Sequence, residues 1–234
     1  MNGSALTLGL VGALAAAATL RRRGSADLDD RAANQTTWYH GRSTRSMRFD
    51  LRFVGGEEAN DQEGPGFYFT NDPEGARGYA YPKRDRDNQP DTRANPGVVL
   101  AVRLRVPRWV DPTRRANRTE VERLLRASPC YREELENWDE NPVRAHANAM
   151  RGMMSAEWQH GVFQNVWGDF YRRCDGGDAA YLDGLVKLGY GGVRIPQPDG
   201  PYRMPGTVHA VVFSPAFIED VRVHEDLGVG SVER

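Results

Sequence analysis

Lysine is almost missing from this chain. Lys83 and Lys187 are the only two, and arginine supplies the rest of the 31 cationic side chains. That bias reads first as a coding preference and only second as a choice for phosphate binding. Against 32 acidic residues it leaves a formal net charge of -1, so nothing draws the whole molecule toward nucleic acid or an acidic membrane. Cysteine is as scarce. Cys130 and Cys174 cannot build a disulfide framework; they can pair once, and free thiols are the expectation. No spacing of Cys, His and carboxylate matches a zinc site, and there is no internal repeat. The apolar run Ala5 to Leu20 falls short of the roughly 20 residues that a full membrane span needs. No Lys or Arg precedes it, so it lacks the basic start of a secretory signal peptide. Arg21 to Arg23 follow it and would hold that end in the cytoplasm if the run inserted. For residues 1–23 a short anchor with its N-terminus outside, an Ala/Gly-rich helix packed on a partner, a cleaved leader and a flexible tail all stay open.

What is present fits one soluble domain with extras. The chain has 234 residues, 39% hydrophobic and 27% charged, enough for a sizeable core. Residues 24–35 are polar and read as a linker. Thr36 to His40 has strand composition, and Ser43 to Phe49 is expected to begin a short helix. Residues 55–66 form a Gly- and acid-rich loop. Phe67-Tyr68-Phe69 reads as a short buried strand. Asn71 or Asp72 then caps a helix with Pro73 in its first turn. Val98 to Val106 is a strand in which Arg103 and Arg105 face away from Val102, Leu104 and Val106. From Thr119, with its capping-box pattern TEVE, to Leu188 the pattern is mostly helical. There Trp158, Val162, Val166 and Phe170 form an expected core stripe, and His146 and His160 are expected to be solvated. The acidic run Glu133 to Glu140 reads as a solvated helix face. A glycine-rich turn at Gly189 to Gly192 leads to strands at Val193 to Ile195 and Val208 to Phe213. Ile218 to Val223 is expected at an edge, and residues 226–234 are a polar tail.

Several short motifs recur in an order that carries chemistry. They are His40-Gly41, then Gly66-Phe67-Tyr68-Phe69-Thr70, then Ala76-Arg77-Gly78-Tyr79-Ala80. Later come Gly189-Tyr190-Gly191-Gly192-Val193 and His209-Ala210-Val211-Val212-Phe213. In this order they resemble the polymerase-like, diphtheria-toxin-type branch of the ADP-ribosyltransferases, summarised as His-Tyr-Glu. They are especially similar to the ADP-ribosyltransferase-like domains of phage and mobile-element polyvalent proteins. The resemblance implies an α+β fold over residues 36–225: a split antiparallel β core with a helical insertion at about 113–188. It implies NAD as substrate, no metal, and transfer of ADP-ribose to a protein or nucleic-acid acceptor. Breaking the nicotinamide–ribose bond passes through an oxocarbenium-like state. The site must therefore grip the carboxamide, stack the ring, fix ribose hydroxyls and favour positive charge.

By position, the resemblance gives His40 the ribose hydroxyls, Gly41 the carboxamide, Tyr79 the stacking face and Tyr68 the opposite wall. Two positions depart from it. Ala76 stands where a carboxamide-binding Ser is common. His209 stands where the catalytic glutamate belongs, and protonated histidine would repel the cation. Glu57, Glu58 and Glu219 are candidate replacements. Two functions follow: a mono-ADP-ribosyltransferase, or a degenerate member serving a virion or membrane-associated assembly through residues 5–23. Each residue also has a plainer role open to it, with His40 in a turn, Tyr68 and Tyr79 in packing, and His209 as an ordinary strand residue.

Overall fold

The computed structural model describes residues 30–54, 64–82, 91, 94–196 and 207–228. Residues 1–23, Glu57, Glu58 and most of the polar tail lie outside them. Seven strands form one mixed sheet: β1 (Thr37–Arg42), β2 (Phe67–Thr70), β3 (Val98–Leu104), β4 (Trp109–Val110), β5 (Gly192–Pro196), β6 (Val208–Val212) and β7 (Ile218–Asp226). Their order is β4-β5-β6-β2-β1-β3-β7, all antiparallel except the short β4/β5 pair. The β-branched stretch at β3 is buried at every position but Arg103, as a strand enclosed on both faces should be.

Seven helices are described. They are α1 (Asp30–Gln35), α2 (Pro73–Arg77), α3 (Arg118–Arg126), α4 (Tyr131–Glu136), α5 (Pro142–Met153), α6 (Gln159–Phe170) and α7 (Gly177–Lys187). The last five run between β4 and β5 and form a layer of their own. Alternation sorts the sheet into two faces. The front face carries Val110, Val193 and Val211 beneath that layer, whose core includes Phe163, Val166, Phe170 and Leu185. The back face carries Trp38, Phe67, Phe69, Leu100, Val102, Ala210 and Val212, closed in part by Ala33 of α1.

Several local expectations change. Residues 43–50 form no helix; the nearest turn is a 3-10 segment at Leu51–Phe53, capped by Asp50. The polar stretch that reads as linker ends in α1. There Asn34 bonds both the N–H and the carbonyl of Val106 at 3.1 Å, taking the place of a neighbouring strand. Helix α3 is capped by Asn117, which accepts from Thr119 N, so the TEVE capping box is not used. Trp158 precedes α6 and is 43% exposed; Val162, Val166 and Phe170 are buried as a stripe without it. His146 is not simply solvated, because its Nδ1 meets the Tyr131 hydroxyl at 2.9 Å. Cys130 and Cys174 are bonded to each other, with Cα atoms 6.0 Å apart, joining the start of α4 to the turn between α6 and α7. Free thiols were the sequence expectation; helix packing, invisible to cysteine counting, brings the pair together. Gly189 turns the chain out of α7 at a φ of 89°, which glycine adopts without strain.

Candidate functional site

The sheet narrows between β1 and β2. These strands are in register at one pair only, Tyr39 opposite Thr70. Beyond it they part, while β1 stays fully paired with β3 from Thr37 to Arg42. The gap is bridged by a side chain: His40 Nδ1 lies 2.7 Å from the Tyr68 carbonyl. A carbonyl oxygen only accepts, so Nδ1 carries the proton and Nε2 keeps its lone pair. The imidazole is packed edge-on to Phe49 at 5.2 Å and tilted on Phe69 at 5.5 Å. Burial, with a smaller push from the Arg42 charge, lowers its pKa to about 4 despite the bond to Tyr68. His40 is therefore neutral near pH 7, a fixed tautomer presenting an acceptor.

Gly41 points the other way. A Cβ there would lie 1.9 Å from the Ala76 carbonyl, 2.8 Å from Ala80 N and 2.9 Å from the Tyr79 carbonyl carbon. Only a residue without a side chain lets the α2 turn sit this close on β1. Asp72 starts that turn by accepting from Glu74 N and Gly75 N, and Pro73 occupies its first position. Ala76, Ala80 and Val99 make its small apolar contact with the sheet. Arg77 clamps it to β7 through Glu225 at 2.6 and 2.9 Å. A 3-10 segment, Gly78–Ala80, ends it and leaves Tyr79 48% exposed.

Register gathers the remaining candidates on the front face. Tyr68 lies opposite Val211 and Thr70 opposite His209. The Thr70 side chain lies under Gly75 of α2, 3.8 Å from where its Cβ would be. Tyr68 borders the helical layer and donates its hydroxyl to the Gly64 carbonyl at 2.5 Å. The front face thus has two covers, the helical layer over β4, β5 and β6 and the α2 turn over β1 and β3. Tyr68, Thr70 and His209 lie where the two covers meet.

Gly41, Tyr68, Tyr79 and His209 are thus drawn to one face, but the His40 ring is not. It leaves β1 on the back face, opposite the turn that carries Tyr79, and reaches the others only through the Tyr68 backbone. Glu219 is remote: β7 is four strand steps from β6, about 19 Å at ordinary strand spacing. Its carboxylate pairs with Arg105 at 2.6 Å. Among the described residues no group of three His, Cys, Asp or Glu side chains could hold a metal.

Sequence reasoning missed three residues here. Thr70 follows Tyr68 at the strand period of two and so shares its face. Arg42 follows His40 at the same period. Phe49, placed by the sequence in a helix, is instead the ring on which His40 rests. Compared with known proteins, the chain matches no family model, no curated protein and no solved structure.

Proposed function

We propose that this protein binds NAD in the manner of an ADP-ribosyltransferase and, where it turns over, transfers ADP-ribose to a protein or nucleic-acid acceptor. The observation that carries this reading is the parting of β1 from β2 immediately after the Tyr39–Thr70 pair. A split antiparallel core would part at such a place, and the five helices between β4 and β5 would be its insertion. The parting leaves β1 and β2 joined by a single register pair beside a neutral histidine acceptor, with an aromatic turn on the other side. Gly41 would offer the backbone edge beside the parting to the carboxamide, and Tyr68 and Tyr79 would enclose the ring on the front face. With the dinucleotide passing through the parting, His40 Nε2 on the back face would accept from a ribose hydroxyl.

A second reading has its own support. Position 209, beside Thr70 on the floor of the site, holds an imidazole. It supplies no fixed negative charge to an oxocarbenium ion. The chain would then bind the dinucleotide without transferring it and serve a structural or delivery role.

One experiment separates the two. The full chain is incubated with NAD and assayed for free nicotinamide and modified acceptor, while its thermal stability is titrated with NAD. A ligand that binds only the native state raises the melting temperature. Binding with nicotinamide release supports transfer. Binding without release, followed by release in His209→Glu, supports a degenerate site. No stabilisation by NAD at millimolar concentration overturns both.

A further inference from the structure

His40 and Arg42 stand two residues apart on β1, so both side chains leave on the back face. Both meet the Phe49 ring, the imidazole at 5.2 Å between centroids and the guanidinium carbon at 5.0 Å from the ring centre. Arg42 Nη1 donates to the carbonyls of Ser46 and Arg48 at 2.8 and 2.7 Å. These bonds hold the guanidinium in place and bring no negative charge. Among the described residues no carboxylate pairs with Arg42, whereas Arg45 is paired with Asp226 and Arg52 with Asp50. A half-buried cation fixed by neutral oxygens, with no counter-charge, is costly in the free protein and ready for an anion.

The pair is complementary in sense. His40 Nε2 accepts and the Arg42 guanidinium donates. A nucleotide offers the matching groups side by side, a ribose hydroxyl that donates and a phosphate that accepts. We propose that Arg42 is a phosphate-binding residue, part of a His40–Phe49–Arg42 subsite that takes the ribose-phosphate portion of a nucleotide. The assignment rests on the NAD reading in taking a dinucleotide as the natural ligand. Within it, Arg42 meets either the diphosphate or, in NADP, the 2′-phosphate, each an anion that a guanidinium can bind by charge-assisted hydrogen bonds.

The test is calorimetric titration of the full chain with NAD, NADP, ADP and nicotinamide, on wild type, Arg42→Gln and Arg42→Lys. Arg42→Gln is expected to weaken ADP, NAD and NADP by about tenfold or more, the loss of one charge-assisted contact. Nicotinamide is expected to be unchanged, and Arg42→Lys to fall in between. Tighter binding of NADP than NAD, abolished in Arg42→Gln, places the contact at the 2′-phosphate. Equal losses for both place it at the diphosphate. NAD bound alike by wild type and Arg42→Gln overturns the subsite and leaves the dinucleotide reading standing. Arg42-dependent binding of ADP without binding of NAD does the reverse. Failure of all four ligands to bind folded wild type overturns both. Should Arg42→Gln not fold, the salt dependence of ADP binding to wild type decides. Affinity that does not fall with added sodium chloride rules out the contact.

Discussion

The two covers of the front face are built on different principles. The helical layer is a deep core in which Phe163, Val166, Phe170, Leu182 and Leu185 are all but inaccessible. Its phenols are tied off inside: Tyr181 donates to the Phe163 carbonyl at 3.0 Å and Tyr171 to the Leu124 carbonyl at 2.5 Å. Burial pushes both phenols well above their usual pKa. The α2 turn has almost nothing of this kind. It is held by two alanines on Val99, a glycine contact, an N-cap and an ion pair. The first cover derives its stability from apolar area. The second derives its position from backbone geometry, and it is the one that borders every proposed contact with nicotinamide.

The largest expected effects test that contrast directly. Phe170→Ala should cost about 3–5 kcal/mol in denaturant unfolding, through lost burial and the cavity left behind. The molecules still folded should bind NAD with wild-type affinity. Gly41→Val should cost about 3 kcal/mol, because the new side chain meets backbone that cannot rotate aside. There the surviving folded fraction should lose NAD binding. Wild-type affinity in folded Gly41→Val would mean that the turn's position is irrelevant to the ligand.

Acid should act next, through the junction. The His40 pKa falls from 6.5 in the unfolded chain to about 4 in the folded one. Between those values the unfolded state holds the extra proton, so stability rises with pH across this window. The contribution is fully present above pH 6.5 and is lost as pH falls toward 4, in all about 2–3 kcal/mol. The check is a series of urea midpoints from pH 7 to 4 on wild type and on His40→Gln, whose amide can still donate to the Tyr68 carbonyl. The variant's curve should be flatter across the window. Parallel curves would show that the imidazole is not held neutral by burial.

The contrast also explains what could be read in advance. Period-two and period-3.6 patterns report apolar surface, so β3, the Val162–Val166–Phe170 stripe and the strand at Val208 were legible. Asp72 with Pro73 was legible because capping is local chemistry. Three features were not. The stretch before Phe49 reads as the start of a short helix, but Arg42 takes the carbonyls of Ser46 and Arg48, and the segment forms no regular element. Asn34 makes a helix useful at the end of a polar stretch through a partner in Val106, seventy-two residues away. The face on which His40 emerges depends on register between β1 and β3, which no motif encodes. The ordered motifs singled out His40, Gly41, Tyr68, Tyr79 and His209 and were silent about which side of the sheet each would use.

The smallest effect uses one piece of chemistry in both regions. Asp72 caps α2 and Asn117 caps α3, each accepting backbone N–H groups of its helix's first turn. Replacing either with alanine should cost about 1 kcal/mol. In α3, nine residues long and buried through Val121, Leu124 and Leu125, the loss should be shared by the cooperative core. Amide exchange there should still require global unfolding. In α2, five residues with only Ala76 buried, the cap is a large part of what orders the turn. Asp72→Ala should therefore speed exchange of the amides of residues 75–80 far more than it shifts the global midpoint, and weaken NAD binding in step. Asn117→Ala should leave NAD binding alone. Equal effects of the two caps on affinity would mean that the turn over Gly41 is as firmly built as the helical layer, and that its slight construction has no bearing on the site.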